Sequence, residues 1–361
     1  MKERRWLKSG VIIGIITVFI RSIASPEWLE QYYSRGVFPG FRVLLDTFVT
    51  SWFPIPLVYL FIPFLLFSVG KGLFKWSRSQ SRGKGLRAIA GLLNFTGWTI
   101  GLFLLMWGFN YGRQPVEERI GIQPKGLALS SLQTIIRQEA GVLANLRAKI
   151  PQSDTLALHS EHFPKNMEEQ LRQALEEVLD YYNYPTVGNV RGRIIEPKGI
   201  LLRISTAGIY FPWTGEGHID AGLIHLQRPY TMTHELAHGY GFGDEGSCSF
   251  WAYLAAFKVT DPALEYAIRL GYWRSLAVHW VRADSVSYHR FRAQLPKGII
   301  ADLTAINENI AAYPDIFPNA RNAAYDTYLK AQGIAEGLQN YGRVINLVEA
   351  WRVTEGEDIF E

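Results

Sequence analysis

Cysteine is nearly missing from this 361-residue chain: Cys248 stands alone, so no intramolecular disulfide can form and the fold must rest on buried apolar surface. Methionine is absent after Met232, which excludes a methionine turn in the last third. No internal repeat or low-complexity run appears, and solenoid architectures are excluded with them. Charge is missing from residues 47–70 and from residues 88–111. Each stretch exceeds the ~20 residues needed to cross a hydrocarbon core, so each reads as a spanning helix. Acidic residues are missing from the loop between them, which carries Lys71, Lys75, Arg78, Arg82, Lys84 and Arg87.

What is present divides the chain in two. A formal charge of +4 and a mean hydropathy near zero combine an apolar, basic first third with an ordinary soluble remainder. Three spans are expected, at residues 6–24, 50–70 and 88–111. The first rests on the apolar run 11–20, which follows Lys2, Arg4, Arg5 and Lys8. Ser22-Ile23-Ala24 also has the small-residue look of a signal-peptide cleavage site, but Arg21 directly after the run counts against cleavage. Pro54, Pro56 and Pro63 should kink the second span, which membrane helices tolerate. The basic loop should stay in the cytoplasm, with the N-terminus, and residues 112–361 should then lie outside. Its place between two spans makes it a topological signal rather than a nucleic-acid patch.

His-Glu-Leu-Ala-His at 234–238 carries the chemistry. On a helix, positions i and i+4 share a face, so His234 and His238 can present ring nitrogens to one tetrahedral zinc while Glu235 serves as general base toward a zinc-activated water. Pro229 suits the first helical turn, and Thr231 or Thr233 is expected to cap it. Gly239, Gly241 and Gly243 should end the helix soon after His238. A catalytic zinc needs a third protein ligand, and Asp244 and Glu245 are both in reach. Asp244 fits a metzincin spacing, six residues after His238 and past Gly241, but the methionine turn is lacking. Glu245 opens a helix similar to the one supplying the third ligand in gluzincins, with Cys248 and Ser249 in place of the usual Ala-Asn pair. Glu245 is favoured, with Asp244 as the alternative ligand or as a partner to a ligand histidine.

The motif is joined by the blocks Gly208-Ile209-Tyr210-Phe211-Pro212-Trp213-Thr214-Gly215-Glu216, Tyr328-Leu329-Lys330-Ala331, Gly337, Tyr341-Gly342-Arg343-Val344 and Leu347. With these blocks the chain resembles a family of bacterial three-span membrane proteins catalogued as domain of unknown function 3810 and grouped with the zincin peptidases of the MA superfamily. The resemblance spans nearly the whole chain and supplies no substrate. It implies that the first span is retained and that Gly208, Ile209, Tyr210 and Phe211 form an edge strand pairing with a peptide substrate. Glu216 and His218 are candidate pocket residues. Tyr341 is a candidate oxyanion stabiliser, since zincins commonly use a tyrosine or histidine there.

The remainder reads as α+β and mainly helical. Leu129, Leu132, Ile135, Ile136, Val142, Leu143, Leu146 and Ile150 recur at helical spacing, as do Leu171, Leu175, Val178, Leu179 and Tyr182. Residues 193–195 and 200–204 are β-prone and should make a small sheet before the metal helix. The expectation is a membrane-anchored zinc metallopeptidase acting on a peptide or protein outside the cytoplasm, with the bilayer as its other partner and no nucleic acid. A non-catalytic zincin-fold binding or scaffold protein is the alternative. A transporter is disfavoured, because the expected spans hold no acidic or basic residue in their interiors, Lys8 and Arg21 lying near the ends of the first, and so offer no ion path.

Overall fold

The computed structural model describes residues 3–48, 52–79, 83–151 and 155–356; Lys2, Arg82 and residues 50–51 of the expected second span lie outside these ranges. The chain divides into two compact units. One comprises Met1–Gln114 with Val187–Asn189 and Phe211–Glu216, and the other Pro115–Thr186, Val190–Tyr210 and Gly217–Glu361.

The helices of the first unit include Glu3–Ile23 (α1), Phe38–Phe48 (α2), Val58–Ser77 (α3) and Lys84–Met106 (α4). Two of them, α3 and α4, are long and apolar enough to cross a membrane, and a third span exists if the pair Ser9–Ile23 and Pro26–Phe48, bent by 115°, counts as one. The second helix does not occupy 50–70. Residues 53–57, which contain Pro54 and Pro56, are non-helical, so α3 starts at Val58 and runs past Lys71 and Lys75 to Ser77. This shift follows from proline's missing N–H and its effect on the residue before it. The third helix likewise begins early, at Lys84, and gives way at Gly108–Gly112 to a 3₁₀ turn.

Small residues let α1 and α4 approach closely. A Cβ at Gly14 would lie 2.9 Å from Gly97 Cα, and one at Gly97 would lie 2.3 Å from Gly10 O. Gly10 N donates to Asn94 Oδ1 at 2.8 Å in the same seam. Paired glycines four residues apart are a common way for helices to associate where water supplies no driving force. Between α1 and α3 the sequence holds charges that the expected spans left out, and the structure buries them in pairs. Glu30 binds Arg113 at 2.8 Å, and Arg42 binds Asp46 at 2.9 Å. Arg42 also donates to Gly215 O at 2.8 Å, and Asp46 accepts from Asn189 N at 2.7 Å.

The second unit is mainly helical, with Leu129–Lys149 (α5), Met167–Tyr181 (α6), Arg228–Gly239 (α7), Glu245–Ala255 (α8), Pro262–Ala283 (α9), Ser285–Arg292 (α10), Lys297–Ala312 (α11), Pro318–Ala331 (α12) and Arg343–Thr354 (α13). Strands Arg191–Ile195 (β1), Gly208–Phe211 (β2) and Glu216–Asp220 (β3) form one sheet in the order β1-β3-β2. Helix α8 is the centre of the core. All of its residues are buried, and α6, α7, α9 and α13 pack against it. The expected stripes on α5 and α6 do face inward, except that Leu129 in the first turn of α5 is exposed.

Residues 200–204 are not a strand. The Asp220 carboxylate accepts hydrogen bonds from Gly199 N and Leu201 N at 2.7 Å, from Leu202 N at 3.1 Å and from Gly222 N at 2.6 Å, and so holds the segment as a loop and a 3₁₀ turn over Leu202–Ile204. Four N–H donors on one carboxylate satisfy backbone groups that a sheet would otherwise have paired.

Candidate metal centre

Helix α7 begins at Arg228 with Pro229 in its first turn, and neither expected threonine caps it. Thr231 and Thr233 instead donate back to Gln227 O and Pro229 O inside the helix. The helix ends at Gly239, and Gly241 at φ +88° turns the chain, as its lack of a Cβ allows. Two strand glycines bring this helix onto the sheet. A Cβ at Gly208 would lie 2.6 Å from Glu235 Oε1, and one at Gly217 would lie 2.8 Å from Glu235 Cβ.

The turn after α7 leads directly into α8, and this brings three donors together. Glu245 Oε2 lies 2.9 Å from His234 Nε2 and 3.4 Å from His238 Nε2. All three residues are buried. The other edges of the rings are already engaged: His234 Nδ1 meets Ser249 Oγ at 3.1 Å, and His238 Nδ1 meets Phe242 O at 2.8 Å. A carbonyl acceptor at Nδ1 fixes the proton there and leaves the Nε2 lone pair of His238 for a metal. The donor set therefore fits a zinc ion: two imidazole nitrogens and one carboxylate oxygen converge at a buried point, and the outer ring nitrogens are held by hydrogen bonds.

Cys248 forms a second grouping with the same two histidines. Its Sγ lies 3.2 Å from His238 Nδ1 and 3.4 Å from Phe242 O, on the ring edge opposite Nε2. A metal at Nε2 and a metal shared with Cys248 are thus alternatives. The Phe242 carbonyl already accepts at that Nδ1 edge, which favours the Nε2 side with Glu245 as the candidate cation site.

Asp244 is directed elsewhere. It caps α8 by accepting from Ser247 N at 2.9 Å, and it pairs with Arg343 at 2.8 Å; it does not reach a histidine as a supporting partner. The residue that sequence reasoning missed is Tyr325 on α12. Its hydroxyl donates to Glu245 Oε1 at 2.6 Å, which leaves Oε2 turned toward the histidines. Tyr341 stands beside it, with hydroxyls 3.4 Å apart and with its ring stacked on His234 at 6.3 Å. Desolvation of the hydroxyls, reinforced by the Glu245 carboxylate, raises both phenols above their ordinary range, although Tyr325 is half-buried and much of the Tyr341 side chain is exposed, so both remain donors. No local spacing marks Tyr325; it lies three residues before Tyr328 and 80 residues after Glu245.

Glu235 lies beside this group. It accepts a hydrogen bond from the Tyr210 backbone, while its Oε2 is buried with no hydrogen-bond partner among the described residues. Burial pushes its carboxyl up to about 8; the Glu245 carboxylate adds to the rise, and His238 and Tyr210 oppose it.

The structure gathers His234, His238, Glu245, Glu235 and Tyr341, with Gly208 and Tyr210 of the edge strand β2 against Glu235. Ile209 is exposed on that strand, and His218 is buried in β3. Phe211 and Glu216 belong to the other unit: Phe211 packs on Phe61 at 5.5 Å, and Glu216 Oε2 accepts from Leu57 N at 2.8 Å. A strand carboxylate spent on a backbone N–H is not available as a pocket residue.

Residues 33–348 match the model of a family described as "Protein of unknown function (DUF3810)". The chain belongs to this family. The match includes His234, Glu235, His238, Glu245, Tyr325 and Tyr341. No curated protein and no solved structure matches the chain.

Proposed function

We propose that this member of the DUF3810 family is a membrane-anchored zinc metallopeptidase of the gluzincin kind. The observation that carries the reading is the convergence of His234 Nε2, His238 Nε2 and Glu245 Oε2, with the buried, unpartnered Glu235 Oε2 beside them. A zinc ion held by these ligands would polarise a peptide carbonyl and acidify the attacking water. Glu235 takes a proton from that water and later delivers it to the leaving amine; its buried Oε2, which has no hydrogen-bond partner among the described residues, is the atom that would carry it. Tyr341 and Tyr325 hold hydroxyl protons beside the site, and Tyr341 is the donor assigned to the developing oxyanion. Strand β2, at the edge of the sheet, would align an extended peptide by main-chain hydrogen bonds.

The test is turnover of a mixed peptide library by the full chain in neutral detergent, beside Glu235→Gln. The variant is expected to keep its metal and to lose about 10²- to 10⁴-fold in rate. A Glu235→Gln protein as active as the parent contradicts the mechanism. A parent that binds zinc and cleaves nothing leaves the scaffold reading instead.

The basic loop sets the proposed orientation, with the metal centre outside the cytoplasm. A reporter active only outside the cytoplasm should be on when fused after Glu361 and off when fused at Ser79. The opposite pattern would place the site among cytoplasmic substrates.

A further inference from the structure

Helix α9 carries Leu270, Arg274, Val278 and Arg282 at four-residue spacing, which places them along one face. That face borders two cavities, of about 290 Å³ and 330 Å³, which share Arg274 and Val278. The smaller is mainly apolar, with Leu226, Ala267, Leu270 and Ile306 in its lining. The larger is also mainly apolar, with Trp273, Ala277, Val281 and Leu303 in its lining, but it adds basic groups: Arg274 and Arg282 of α9 and His289 and Arg292 of α10, together with Asn307 of α11. Neither lining contains an aspartate or a glutamate.

The buried arginines Arg42, Arg147 and Arg269 each pair with a carboxylate, as do Arg113, Arg343 and Arg352. Arg274, Arg282 and Arg292 form no ion pair among the described residues; the charged and titratable groups acting on them are the neighbouring Tyr230, Tyr288 and His279. Arg274 is half-buried, and desolvation lowers its pKa. Three guanidiniums lining one cavity repel one another, and an anion with several oxygens would relieve that repulsion through paired hydrogen bonds.

We infer that the two cavities form one binding site for an amphiphilic phosphate, with the phosphate ester among Arg274, Arg282 and Arg292 and the hydrocarbon in the apolar cavity beside Leu270 and Ile306. A carboxylate would leave most of the positive charge unanswered, whereas a phosphate's oxygens can engage more than one guanidinium. The juxtaposed apolar cavity distinguishes such a ligand from free phosphate. Membrane lipids are the nearest source of this chemistry for a chain whose helices are long enough to cross a bilayer. The site shares no residue with the metal centre, so its test does not depend on zinc or on turnover.

The experiment is calorimetric titration of the full chain in neutral maltoside micelles with hexyl phosphate, inorganic phosphate and hexanol. Hexyl phosphate should saturate at about one per chain, inorganic phosphate should bind at least ~10-fold more weakly, and hexanol should give no saturable heat. Arg274→Gln should weaken hexyl phosphate by about 10- to 100-fold, as expected for a lost charge-assisted hydrogen bond. The Arg282→Gln/Arg292→Gln pair, in which Arg282 is exposed and Arg292 half-buried, should do the same and guards against misfolding of the Arg274 variant. Absence of saturable hexyl phosphate binding, or equal affinity in parent and double variant, would overturn the assignment. Inorganic phosphate binding as tightly as hexyl phosphate would overturn the amphiphile.

Discussion

Helices α3 and α8 are both rich in large apolar side chains, and they treat them in opposite ways. No residue of α3 is buried, with Phe64 68 % and Phe67 69 % exposed, whereas every residue of α8 is buried and Trp251 is 0 % exposed. An apolar helix of either kind needs dry surroundings: α8 has them in the protein core, and α3, which the protein leaves bare, has the length and composition to find them in a bilayer. Length separates them. The 20 residues of α3 extend about 30 Å and can span a hydrocarbon core, while the 11 of α8 cannot. The same contrast governs charge. The first unit buries Arg42 with Asp46 and Glu30 with Arg113, each pair bonded within itself, while α7 and α8 direct two imidazoles and a carboxylate to one point. Buried ionisable groups that close on one another in pairs build structure; groups whose donor atoms converge on a common point are the candidates for a ligand site.

The comparison is broken most sharply by truncating one aromatic side chain in each helix. Trp251→Ala should cost about 3–5 kcal/mol in urea unfolding of the full chain in neutral detergent, because the indole leaves a cavity that its ring neighbours Tyr182, Tyr184 and Phe242 cannot fill. Phe67→Ala should change unfolding by about 0.5 kcal/mol or less. Equal losses would mean that α3 is packed against protein. A finer effect is expected from Tyr325→Phe, which frees Glu245 Oε1 and should weaken zinc about 10- to 100-fold in competition with a chelator. The smallest is Asp244→Ala: loss of the α8 cap should cost about 1 kcal/mol of stability and leave zinc affinity near the parent's. An Asp244 variant that loses zinc more readily than a Glu245 variant would shift the site to the metzincin-like arrangement.

Parts of this molecule were legible in the sequence because their signals are local. The four-residue spacing of His234 and His238, the carboxylate one turn of chain later and the uncharged runs each lie within one or two elements, where period and composition report directly. Helix limits were less legible: Pro54 and Pro56 were seen as kinks, yet they precede α3 and displace its start to Val58. Long-range partners gave no signal. Nothing in residues 200–204 announces that Asp220 will gather their N–H groups, and nothing near Glu216 announces Leu57. Tyr325 was missed for the same reason, since its contact with Glu245 exists only after α12 is folded against α8.

Zinc content decides whether the convergence at Glu245 is a metal centre. Elemental analysis of the purified full chain, reconstituted with zinc and then dialysed, should give about one zinc per chain for the parent and for Glu235→Gln, and close to none for His234→Ala and Glu245→Ala. A zinc-free parent, or a His234→Ala protein that keeps its full complement, would contradict it.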